Sequence, residues 1–300
     1  MLAESVTARH RRAGVCLVAA SAFCWSLAGV FERAADVSSA TLIFWSSIAA
    51  FVGLGLASVV QSNTGIVRKL ANFGKPELLY IAAATLTTMS CVIALRHTTV
   101  ANIMVIYASL PFVATAVAYL WLSERVSRKF VIAGLGAVTG AVLTATAAAS
   151  QNDGIGTLAA FVMTASYACQ LVLVKRYPNL DILLVSAISA AVSAMVAAPF
   201  VAQWSLGGWE LAASSMYGLV SFGLGTVLAL AGGRLIKSGE VGFISMLDVV
   251  LSPVWVWLIF NEQPPLFSVI GGMIVLGSVA WYLTEEGDVS APSELQGAKV

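Results

Sequence analysis

Ten apolar runs follow one another along these 300 residues, near 14–33, 38–60, 77–95, 100–122, 130–149, 155–174, 181–202, 212–233, 240–260 and 266–284. A helix rising about 1.5 Å per residue needs about 20 apolar residues to cross a hydrocarbon core of about 30 Å, so each run has the length of a transmembrane span. The shortest separations, at 95–100 and 233–240, are marked by Arg96-His97-Thr98-Thr99 and by Arg234, Lys237 and Ser238-Gly239. Loops this short force consecutive helices to lie antiparallel and adjacent. Charged residues are only 10% of the chain and apolar ones 59%, against about 25% charged in soluble domains. So few charges cannot cover a water-exposed surface, and the apolar excess must face lipid.

The placement of Lys and Arg predicts orientation. With a cytoplasmic N-terminus, 14 of the 16 basic residues fall inside, leaving Arg33 and Arg96 outside. Both termini are then cytoplasmic, in a bacterial-type inner membrane. Arg9, Arg11 and Arg12 before an apolar run, with Ala20-Ser21-Ala22, imitate a signal peptide. The run continues to Phe31, however, and is read as an uncleaved first span. The net charge of +1 points to no nucleic-acid partner. Cys16, Cys24, Cys91 and Cys169 all sit in apolar runs without a CxxC pair, and are expected to be small buried hydrophobes. With only His10 and His97 beside them, neither a metal site nor a cofactor is expected.

Five spans per half is an odd number, so a two-fold repeat must be inverted in the membrane. Gly14, Trp25 and Arg33 align with Gly156, Tyr167 and Lys175 at an offset of 142. Asn102, Pro111, Glu124 and Gly134 align with Glu240, Val249, Glu262 and Gly272 at an offset of 138. The expected fold is all-α and membrane-integral, ten transmembrane helices in two inverted five-helix repeats. Its organisation is a cytoplasmic segment 1–13, repeats at 14–149 and 150–284, and a disordered cytoplasmic tail at 285–300. Inverted repeats of this kind can exchange conformations around a midplane site.

The stretch Leu110-Pro111-Phe112 through Leu122-Ser123-Glu124-Arg125, with its partner Leu247-Asp248-Val249-Val250-Leu251-Ser252-Pro253 through Asn261-Glu262, resembles the paired repeat motifs of the drug/metabolite transporter superfamily, EamA type. The resemblance covers residues 12–284. It implies a secondary carrier, usually an exporter, of amino acids including aromatic ones, of other amphipathic metabolites or of toxic cations. One departure is that the second motif often carries an acid–proline pair where this chain has Asp248-Val249, its proline following at Pro253.

The candidate site follows from depth and helical spacing. Asp248 lies about 12 Å into the ninth span by helical rise, near the midplane, where a charge costs about 2.5–3.5 kcal/mol. It serves either as a substrate-amine or proton site, or as a hydrogen-bonded acid that locks its span to a neighbour. Ser21, Trp25 and Gly29 share one face of the first span, and Met163, Tyr167 and Gln170 the related face of the sixth. Tyr107 with Pro111, and Thr88 with Cys91, share faces of the fourth and third. These faces are expected to line a substrate cavity, or else to pack against lipid. Pro111 and Pro253 are the expected hinge or gating positions. Glu124 and Glu262 read as interface anchors or partners of Arg125 or backbone amides, and Arg33 and Arg96 as snorkelling interfacial residues. Gly134, Gly136, Gly140, Gly271, Gly272 and Gly277 are expected to hold the bundles together or to join a weak homodimer.

No Ser/His/Asp constellation, phosphate loop or Walker lysine appears, so the chain is not expected to be an enzyme. The reading is a carrier exporting amino acids or related amphipathic solutes by alternating access, coupled to protons or to exchange. A drug, organic-cation or nucleoside-type carrier is the alternative. An intramembrane enzyme would need a His/Asp or metal cluster that the sequence does not supply.

Overall fold

The computed structural model describes residues 2–61, 73–98, 100–124, 126–146, 154–261 and 266–285. Each apolar run is helical over most of its described residues, and no strand occurs among the described residues. The spans are α1 (Leu2–Ser26 continued by Ala28–Ala35), α2 (Ser39–Gln61), α3 (Lys75–His97), α4 (Val100–Tyr107 and Leu110–Leu122) and α5 (Arg128–Thr146). The second half holds α6 (Gly154–Arg176), α7 (Ile182–Ala197), α8 (Gly208–Met216, a π-helical Tyr217–Gly225, and Thr226–Gly233), α9 (Ser238–Ser245 and Leu247–Phe260) and α10 (Leu266–Glu285). Among the described residues eight helices are long and apolar enough to cross a membrane, and Val269–Tyr282 within α10 is a shorter apolar helix.

The segment expected to precede the first span is itself helical from Leu2. Its Ala, Glu and Arg residues are good helix formers and no proline interrupts them. Cys16 is exposed on α1, contrary to the expectation that all four cysteines are buried. On an apolar span an exposed position faces lipid, which suits a thiol as well as a core does. Arg125, Glu262 and the tail from residue 286 lie outside the described residues.

The helix starts show why the chain breaks where it does. Gly74 and Gly207 each donate their backbone N–H to a Glu three residues on, Glu77 at 2.9 Å and Glu210 at 2.8 Å, opening α3 and α8. Asp181 caps α7 by accepting from the Leu184 amide at 3.1 Å. At the other end, Ser123 and Asn261 stop α4 and α9 in the left-handed conformation, with φ of 54° and 55°. These two residues are 138 apart, the repeat offset.

The packing obeys the same inverted symmetry. α2 packs on α7, α4 on α9 and α5 on α10, three pairings that map onto themselves when the halves are exchanged. The pairing of α3 with α6 maps onto that of α8 with α1. Single residues repeat it. A Cβ on Gly14 would meet Leu235 and Ile236 at 2.8 and 2.7 Å, and one on Gly156 would meet His97 and Thr98 at 2.9 and 2.6 Å. Leu235 and Ile236 stand 138 residues after His97 and Thr98. Lipid supplies little drive for apolar helices to associate, so such close backbone approach is what lets dispersion hold them.

The glycine faces of α5 and α10 meet each other. A Cβ on Gly140 would stand 2.5 Å from the Gly271 carbonyl oxygen, and one on Gly136 2.6 Å from Ser278 Oγ. They therefore join the two halves within one chain. The central core draws Val18, Tyr80, Leu110, Leu171, Leu230 and Ile244 from α1, α3, α4, α6, α8 and α9. A second core joins Phe130, Phe243 and Tyr282 of α5, α9 and α10.

Candidate functional site

α4 and α9 are each interrupted at the same repeat position. α4 breaks at Ala108-Ser109 and α9 at Met246, again 138 residues apart. In α4 the cause is Pro111, second in the new helix. It has no N–H, and its ring would clash with the carbonyl of Tyr107 in a continuous helix. In α9 the proline is replaced by Val249, yet the break persists. Ser245 Oγ donates to the Val241 carbonyl at 2.7 Å, and the amides of Met246 and Val249 donate to the Phe243 and Met246 carbonyls at 3.3 and 3.2 Å, the tighter i to i+3 pattern of a local turn. Pro253 falls inside the continuous piece Leu247–Phe260, seven residues beyond the break, and its side chain lies outside what is described. The two broken helices touch here, since a Cβ on Gly242 would meet Pro111 Cα and N at 3.0 Å.

Three aromatic side chains meet beside these breaks. Trp25 and Tyr167 lie edge to face with ring centroids 5.7 Å apart, and Tyr107 lies 6.4 Å from Tyr167. Trp25 also covers Gly225 of α8, where a Cβ would stand 2.7 Å from the indole. Asp248 follows Leu247, which packs against the same core as Tyr107 and Tyr167. The residue as a whole is half-buried, but its Oδ1 is fully covered and has no hydrogen-bond partner. The Tyr167 hydroxyl is likewise buried and without a hydrogen-bond partner. A buried polar group left unpaired costs about 1–3 kcal/mol. Both groups belong to helices that pack together beside these breaks.

The other candidate residues sit in helix contacts. Ser21 Oγ donates to the Val18 carbonyl at 2.7 Å. Thr88 donates to Ala84 at 3.2 Å and accepts from Ser193 of α7 at 3.0 Å. Gln170 donates to Thr87 at 2.9 Å, tying α6 to α3. Cys91 packs against Ala94, Ile103, Ala160 and Met163.

On the face rich in basic residues, a polar clasp joins the halves. Lys175 Nζ lies 2.6 Å from Glu124 Oε1 and donates to the Ile236 carbonyl at 2.7 Å. The Ser238 amide donates to Glu124 Oε2 at 3.1 Å. Arg176 reaches the Trp121 carbonyl at 2.8 Å, and Arg234 donates to the Val174 and Leu180 carbonyls. Beside it, Glu240 accepts from Tyr282 at 2.7 Å and pairs with Arg11 at 3.5 Å. Glu124 is thus an anchor whose partners are Lys175 and a backbone amide. A small cavity between Thr115, Glu124, Lys237, Glu240 and Tyr282 belongs to this clasp rather than to the helix breaks.

On the opposite face, Arg96 stacks over Phe200 at 4.5 Å. Glu32 is exposed near the C-terminal end of α1. Sequence reasoning passed over it, although an acid inside the first apolar run was a signal. Trp45 Nε1 and Thr85 Oγ1 are further buried polar atoms without a hydrogen-bond partner. Their helix positions alone gave no reason to expect it.

Comparison with known proteins follows the same two-fold division. The model of the EamA-like transporter family matches residues 12–146 and again 154–284. The pseudopaline exporter CntI, in two strains of Pseudomonas aeruginosa, is 26% identical over 290 residues, covering 92% of this chain and 98% of that protein. A solved crystal structure that is 16% identical superposes with a TM-score of 0.79 over 92% of this chain and 98% of the other, a likeness of fold.

Proposed function

Because the chain belongs to the EamA-like transporter family, we propose that it exports small amphipathic metabolites, amino acids and their relatives among them, by alternating access of its two halves around the broken helices. The chain is a multi-pass transporter of the drug/metabolite type. The pseudopaline exporters are similar along nearly the whole chain, which supports the outward direction. The observation that carries the finer reading is the pair of unpartnered polar atoms, Asp248 Oδ1 and the Tyr167 hydroxyl, beside Trp25 and Tyr107. An apolar body would stack on the rings while a polar head meets the two oxygens.

Alternating access requires that each face open in turn. In this structure the basic face is held by the Glu124–Lys175–Ser238 clasp, so release of that clasp is the step that would admit solute from that side. Assigned to the cytoplasm by the basic-residue bias, this is the loading side of an exporter. α4 and α9 move against their partners at Ala108-Ser109 and Met246, where backbone regularity is already lost.

The test is counterflow into proteoliposomes preloaded with unlabelled solute, using labelled aromatic and aliphatic amino acids and organic cations. Saturable, protein-dependent accumulation of at least one class is expected. Flux no greater than in empty liposomes for every class would end the carrier reading.

A further inference from the structure

We infer that the solute this site selects is an aromatic or similarly apolar monoamine lacking a carboxylate, in preference to the corresponding zwitterionic amino acid. The inference rests on the carrier reading above and deepens it by naming the charge of the ligand. Charge at depth is one-sided. No Lys, Arg or His occurs anywhere within 14–32, 39–61, 76–95, 100–122, 130–150, 155–174, 178–233 or 238–284, while Asp248 stands at the break in α9. The basic side chains that approach the bundle are at helix ends. Lys175, Arg176 and Arg234 are held in the clasp, and Arg96 lies over Phe200 at the opposite end.

An ammonium group beside Asp248 is therefore matched, and the buried Tyr167 hydroxyl on the adjoining α6 has no hydrogen-bond partner among the described residues to compete for a further N–H. The carboxylate of an amino acid would find no cation at this depth, and several amides beside the breaks are already engaged. The Phe112 and Val113 amides both donate to the Ser109 carbonyl, Ser109 donates to Ile106, Val249 donates to Met246, and Pro111 has no N–H. A second charge carried to this depth without a partner is penalised as any unpaired intramembrane charge is. The aryl body takes the faces of Trp25 and Tyr107, whose rings add cation–π attraction for the ammonium.

The experiment titrates purified full-length protein with phenylethylamine, phenylalaninamide, phenylalanine and phenylpropionate, reading binding by thermal stabilisation. Both amines should bind about tenfold or more tightly than phenylalanine, and phenylpropionate most weakly. Asp248→Asn should abolish the distinction between amine and amino acid. Should that variant fail to fold, Tyr167→Phe, which loses only the unpartnered hydroxyl, should weaken both amines severalfold. Phenylalanine binding as tightly as phenylethylamine, or no binding by either amine, overturns the inference. Counterflow of amino acids in the liposome assay would in that case leave the carrier reading standing.

Discussion

Trp25 and Tyr167 hold the same position in the two inverted halves, 142 residues apart, and they meet edge to face across the centre of the molecule. A residue touching its own repeat equivalent lies at the pseudo-two-fold axis, the locus that changes least when the halves exchange conformations. An aromatic pair there can keep contact with a solute throughout the cycle.

That relationship separates transport from folding. Trp25 is half-buried, so Trp25→Ala should destabilise by less than the about 3–5 kcal/mol of a fully packed tryptophan, while counterflow falls severalfold. Tyr167→Phe removes a hydroxyl with no hydrogen-bond partner, so the melting temperature should stay level or rise slightly while transport falls. Aggregation of both Trp25→Ala and Tyr167→Ala, or unchanged flux, would assign these rings to packing alone.

The clasp yields a second expectation. Glu124 and Lys175 come from opposite halves and are partly exposed, so the pair is worth about 1 kcal/mol or less in stability. Its effect on the balance of conformations is larger in proportion, because it acts only when the basic face is closed. Glu124→Gln or Lys175→Met should raise the labelling rate of a cysteine introduced at Lys237 by a hydrophilic maleimide severalfold, with little change in melting temperature. Equal labelling rates in variant and parent would show that the clasp does not hold the face shut.

Gly140 and Gly277 make a matched pair of controls on the α5–α10 seam. Gly140→Ala drives a methyl into the Gly271 carbonyl and Val275, neither of which can swing aside, and should cost about 1–3 kcal/mol. Gly277 has open space where its Cβ would be, so Gly277→Ala should be neutral or stabilise by up to about 1 kcal/mol. Melting curves of the two purified variants check this. Equal losses would mean that the seam is not tightly packed.

The residues differ in how legible they were. Helix number, the repeat and the terminal positions of Ser123 and Asn261 follow from hydropathy and spacing, which act locally. The break in α9 did not, because sequence marks such breaks by proline, and here no proline stands at the break while Pro253 sits in continuous helix. Ser21 and Gln170 are buried, yet a serine satisfied by its own helix and a glutamine bonded to Thr87 depend on partners that periodicity does not reveal. The pairing of Glu124 with Lys175 is similarly invisible, since Arg125 is nearer in the chain.

Orientation is the remaining expectation. Arg11, Lys129, Lys175, Arg176 and Arg234 come from the ends of α1, α5, α6 and α8, and contacts with Glu240, Tyr282, Glu124, Trp121 and Leu180 gather them on one face. Translocating five cations together is far less favourable than translocating Arg33 and Arg96, so this face should stay in the cytoplasm. A reporter fused after Arg125 should then signal a cytoplasmic position and one fused after Ser150 a periplasmic one, since α5 lies between them. Removing Arg128 and Lys129 should not invert the chain, because the remaining basic residues still outnumber those on the other side. The opposite pattern at both fusion points would reverse the sidedness of the clasp, making its release the step that frees solute to the exterior.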